Sequence, residues 1–150
     1  MKEVSVYLAS SIRGRWPRDG YIGYALEYYP PGKNMPAVLR CCEPVQNMNE
    51  NRAQLEALIR VFTRMREKCV LSIYTESQYL YDGFAGPEHV KKWIKNHWQT
   101  ARGQEVKNRD KWEELIRALQ GNLYTFYLRQ PNAYTPGLLE ELGRKEEAGQ

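Results

Sequence analysis

The chain has 150 residues, a length that favours one domain with one modest core. Its 22 Lys and Arg against 18 Asp and Glu give a net charge of +4, too mild on its own to imply a nucleic-acid partner. Cys41, Cys42 and Cys69 are odd in number and irregular in spacing, which argues against a disulfide framework and, with two distant histidines, against a zinc site.

The first residues are charged and no long apolar stretch follows. Neither a signal peptide nor a membrane span is expected, and a reducing, cytoplasmic setting is the default. "VSVYLAS" at 4–10 predicts a strand through its Val/Tyr alternation. Gly14, Pro17 and Gly20 mark a loop. "YIGYALEYY" at 21–29 predicts a second strand, ended by Pro30, Pro31 and Gly32. "AVLRCCEPV" is a third, stopping near Pro44. Cys41 and Cys42 then point to opposite faces.

"NRAQLEALIRVFTRMREK" at 51–68 predicts a helix with Leu55, Leu58, Ile59 and Phe62 as its apolar stripe. Asn51 or a neighbouring Asn caps it. "CVLSIYT" predicts a buried fourth strand, and Ser77 caps a short helix after it. Pro87 opens a helix over 88–96. Residues 110–119 form another, with Trp112, Leu115, Ile116 and Leu119 inward. "LYTFYLR" is a fifth strand, and "TPGLLEELGRKEEAG" a final helix capped at Thr135.

The expected fold is α/β: one domain over 1–150, a five-stranded mixed sheet flanked by helices, in the order βββαβαααβα. The first and fourth strands are expected to be parallel neighbours in mid-sheet. The ends of the central elements would then bring together Ala9, Gln54, Glu76 and Glu140. A pair of magnesium ions, held roughly 3.5–4 Å apart to cut a phosphodiester, needs several carboxylates. Alanine supplies no ligand and glutamine one neutral oxygen. Glu76 and Glu140 remain, and nothing in the spacing directs Glu141, Glu50 or Asp19 to join them.

Three stretches resemble the type 1 ribonuclease H family. They are "IYTESQYLYDGF", "WIKNHWQTARGQEVKNRDKWEELIRAL" and "NRAQLEALI". The resemblance covers nearly the whole chain and implies the ribonuclease H-like fold, cleavage of the RNA strand of an RNA–DNA hybrid, and Mg²⁺ or Mn²⁺ as cofactor. Carried over by position, the family's four metal-binding carboxylates fall on Ala9, Gln54, Glu76 and Glu140, and its mobile histidine on Gln130. Its Gly-rich loop is altered to "SSIRGRWPRDG". Asn51 and Gln78 match residues that meet the minor groove, where 2′-hydroxyls distinguish RNA from DNA.

From Lys91 to Lys111 there are seven Lys or Arg against two acids, a local +5. Lys91, Lys92, Lys95, Arg102, Lys107, Arg109 and Lys111 resemble the family's substrate-gripping protrusion and would track phosphates. Each assignment has a plainer competitor. Asn51 caps a helix, Glu76 faces a helix dipole, Glu140 and the basic run are solvated faces, and Trp93 and Trp98 are core.

The function expected is a degenerate ribonuclease H-like domain that binds RNA–DNA hybrid or structured RNA with weak or no cleavage. One alternative is an active metal-dependent hybrid endoribonuclease with a rebuilt carboxylate site at Glu76 and Glu140. The other is a protein-interaction or structural module with a protein partner. No membrane partner is expected.

Overall fold

The computed structural model describes residues 1–149. Its elements follow the expected order: β1 (Lys2–Ser10), β2 (Arg18–Tyr28), β3 (Ala37–Met48), α1 (Glu50–Phe62), β4 (Cys69–Thr75), α2 (Gln78–Phe84), α3 (His89–Lys95), α4 (Arg109–Leu119), β5 (Leu123–Leu128) and α5 (Thr135–Ala148). The five strands lie in the order β3-β2-β1-β4-β5, so β3 and β5 are the edges. β2 pairs antiparallel with β1 and β3, while β4 runs parallel to β1 and β5. Among the described residues no helix is long and apolar enough to cross a membrane.

Strand alternation divides the core between the two sheet faces. Val4, Val6 and Leu8 of β1 join Leu71 and Ile73 of β4 beneath α1, whose Leu55, Leu58 and Val61 are fully buried. Burying each such side chain contributes about 1.5–3 kcal/mol. On the other face, Tyr7 and Ala9 pack with Ala25 of β2 and with Leu138 and Leu142 of α5. Tyr7, Tyr74 and Tyr127 stack across β1, β4 and β5 with ring centroids 4.8 Å apart at each step. Cys41 faces the larger cluster and Cys42 the smaller, as alternation requires.

Trp112 of α4 fixes how α2, α3 and α4 meet. Its ring lies 5.2 Å from Tyr79, 5.6 Å from Phe84 and 5.2 Å from Trp93. It also sits directly on Gly83, where an added Cβ would lie 2.3 Å from the indole. Only glycine permits that approach. Trp98 belongs to the same core.

Several boundaries differ from the expectations. α1 ends at Phe62, six residues before Lys68, because the Thr63 hydroxyl and amide both return to the Arg60 carbonyl. Its N-cap is Asn49, which accepts from the Arg52 amide at 3.0 Å, and Asn51 lies inside the helix. β3 continues through Pro44 to Met48, since an edge strand tolerates a missing N–H. β2 starts at Arg18 rather than Tyr21. α3 starts at His89, because Glu88 takes a left-handed φ of 51°. Thr135 is the first residue of α5 rather than its cap, and Asn132 Oδ1 accepts from the Tyr134 and Thr135 amides. Ser77 does cap α2, accepting from the Leu80 amide at 3.1 Å.

Candidate functional site

β1 and β4 run parallel, so their C-terminal ends lie on the same side of the sheet; α2 follows β4 directly, and the start of α1 is hydrogen-bonded to the loop after β1. The β1–β4 register pairs Tyr7 with Tyr74. That pairing stops two residues short of Ala9 and Glu76, and Glu76 lies in the bend after β4. Glu76 is exposed. Ala9 is 2% exposed and closed over by Leu138 and Leu142 of α5. Gln54, in α1, is 5% exposed and its Oε1 has no hydrogen-bond partner among the described residues.

Glu140 lies on α5. Its side chain is 73% exposed and pairs with Arg144 one helical turn on, at 2.9 Å. Gln130 is exposed in the segment before α5. Among the described residues no three His, Cys, Asp or Glu side chains converge as a metal-holding group.

One α5 carboxylate reaches the chain just beyond β1, and the sequence offered no reason to select it. Glu146 accepts from the Ser11 hydroxyl and pairs with Arg18 at 2.9 Å. The Ser11 hydrogen bond, aided by Arg18 and opposed by burial, holds its carboxyl below the usual range. Glu141 acts on a neighbour: burial first, and then this carboxylate, push the Cys42 thiol up to about 11. Cys42 is therefore a poor nucleophile.

Asn51 is exposed on the first turn of α1, and Gln78 is exposed at the start of α2. Gln78 Nε2 donates to Asp82 Oδ1 at 2.8 Å. A polar seam joins this edge to the basic segment. Arg52 donates to Asn108 at 3.1 Å and to both oxygens of Asp110 at 3.0 and 2.7 Å. Asn108 and the Trp112 indole both donate to the Tyr79 hydroxyl.

The structure divides the basic segment in two. Lys111 is not a surface cation: it pairs with the buried Glu56 at 2.8 Å. Arg109 pairs with Glu113 at 3.1 Å and lies over the Trp98 ring, and Lys91 pairs with Glu88 at 3.1 Å. Lys92, Lys95, Arg102 and Lys107 are exposed. They have no carboxylate partner among the described residues. Arg102 sits in a turn closed by the Gln99–Glu105 bridge.

The sequence model of the family described as RNase H matches residues 1–129, ending before α5. A ribonuclease H of Acetivibrio thermocellus is 35% identical over 117 residues, covering 78% of this chain and 74% of that protein. A ribonuclease HI of Xylella fastidiosa is 34% identical over 123 residues, covering 82% and 76%. Among solved structures, LC9-RNase H1, a type 1 RNase H with the type 2 active-site motif, superposes with a TM-score of 0.78 at 21% identity, covering 100% of this chain and 74% of that one. LC11-RNase H1, solved with an RNA/DNA hybrid, gives 0.60 at 15% identity, covering 96% and 99%. With the family match running through all five strands and the first four helices, this chain belongs to the ribonuclease H family.

Proposed function

We propose that this domain binds RNA–DNA hybrid or structured RNA and cleaves it weakly or not at all. The observation that carries the reading is Ala9. At the position the resemblance gives to a metal-binding aspartate, a methyl group is sealed under Leu138 and Leu142. The residues present do not fit a pair of divalent cations. Gln54 offers one neutral oxygen, Glu76 one carboxylate, and Glu140 is engaged by Arg144 at the surface. Magnesium needs near-octahedral oxygen ligands and charge to match its own. Support for binding comes from the four exposed cations at Lys92, Lys95, Arg102 and Lys107, with Asn51 and Gln78 at the neighbouring edge.

The test incubates a labelled RNA–DNA hybrid with the protein and either Mg²⁺ or Mn²⁺, alongside a Glu76→Ala control, and measures binding by anisotropy in parallel. Binding by both proteins with little cutting by either is expected. Metal-dependent cutting lost in the control would establish a rebuilt nuclease instead. Absence of binding would leave a protein-interaction module.

A further inference from the structure

The loop between β1 and β2 carries a feature that lies apart in sequence from the cations proposed above to bind hybrid. Its "IRGRWPR" places Trp16 in solvent at 73% exposure, whereas Trp98 and Trp112 are core. Solvating an indole face is unfavourable, and this loop is not free to fold it away. Ile12 is fully buried. The Gly14 carbonyl accepts from the Glu50 amide at 3.0 Å, and the Arg15 carbonyl from the Asn49 side chain at 3.4 Å. Arg18 donates to the Ser11 carbonyl at 2.8 Å while paired with Glu146. None of these ties uses the indole.

Two arginines precede it in the same loop. Arg15 lies over the Trp16 ring at 5.0 Å, and Arg13 donates only to the carbonyls of Ser10 and Ile12. Both are exposed and lack a carboxylate partner among the described residues. Because the loop is bonded to the first turn of α1, it stands at the same end of that helix as Asn51.

We infer that Trp16 is a stacking platform for an unpaired base, with Arg13 and Arg15 holding its flanking phosphates, so that the domain prefers hybrid ends bearing a single-stranded extension. This rests on the nucleic-acid reading above and adds a substrate preference to it. Within a duplex each base face is covered by its neighbours. An unpaired nucleotide offers both the flat apolar face an indole takes and the phosphates that arginines take. The pinned loop orders the platform in advance, so little freedom is given up when a base arrives.

The experiment measures anisotropy, with chelator present to suppress cutting, for a blunt hybrid, the same hybrid with a single-stranded DNA extension, and the single strand alone. The wild type is expected to bind the extended hybrid more tightly than the blunt one. Trp16→Ala should lose about 5- to 100-fold on the extended hybrid and less than about 2-fold on the blunt one, and Trp16→Tyr should retain most of the preference. Equal wild-type affinity for blunt and extended hybrids, or an equal loss on both in Trp16→Ala, overturns the inference and leaves hybrid binding standing. Failure of the wild type to bind any of the three overturns hybrid binding itself.

Discussion

Ala9 stands where the family resemblance places a metal-binding aspartate, and its methyl group packs with Leu138 and Leu142 of α5. A carboxylate there would enter a space lined by Tyr7, Ala25, Leu138 and Leu142. Burying an unpaired charge among such groups costs several kcal/mol, or forces protonation. Ala9→Asp is therefore expected to lower folding stability by about 3 kcal/mol or more, read as a fall in the urea midpoint, without creating metal-dependent cutting. A loss under about 1 kcal/mol would mean that the cluster has room for a ligand. The missing charge at Ala9 and Gln54 was legible in the sequence. The rotation of α5 was not, because "EELGRKEEAG" puts acids on more than one helix face. Periodicity gave no reason to turn Glu140 outward toward Arg144 or to bring Glu146 to Ser11.

α1 is the element that binds the rest together, through charge as well as burial. Arg60 joins Glu56 at 2.6 Å and Glu43 of β3 at 2.7 Å, while Glu56 also takes Lys111 of α4. Burial pushes the Glu43 carboxyl up, but hydrogen bonds from Tyr24 and Arg60 outweigh it and the net direction is down. Asp110 is lowered chiefly by its hydrogen bonds from Arg52. A carboxyl whose folded pKa is depressed adds stability that is complete above its unfolded value. That stability disappears as pH falls through the folded value. The urea midpoint should therefore decline below the ordinary glutamate value of 4.5, and Glu43→Gln should flatten part of that decline. An unchanged acid slope in the variant would remove Glu43 from the account. The parallel β1–β4 pair was legible because βαβ connection rules leave few arrangements, whereas nothing in the sequence placed β5 beside β4. The end of α1 was not, since "TRMREK" contains ordinary helix formers and the chain turns on a local Thr63–Arg60 bond. Lys111 was misplaced for a related reason: its partner Glu56 is 55 residues away.

Over the whole molecule the net charge of +4 understates the field at one end, where Lys92, Lys95, Arg102 and Lys107 stand unpaired among the described residues. Neutralising phosphates releases counterions, so hybrid affinity should fall steeply with salt. Lys92→Ala with Lys95→Ala is expected to weaken binding and to reduce the slope of log K against log salt by about 0.9 for each phosphate left without its cation. Lys111→Ala should lower stability and leave that slope alone. A salt slope insensitive to the double variant would show that these lysines are a solvated face.

The two sheet edges are not equally guarded. β3 carries Arg40, Glu43 and Pro44 along its length, which discourage a further strand from docking. β5 reads "LYTFYL", with neither charge nor proline, and its Leu123 is 63% exposed. Such a strand is a template for other chains, so concentrated protein should self-associate through β5. Thr125→Lys is expected to raise the concentration at which light scattering appears while leaving hybrid affinity unchanged, and an unmoved threshold would place the association elsewhere. The strand that completes the sheet thus also sets how crowded a solution this fold can tolerate.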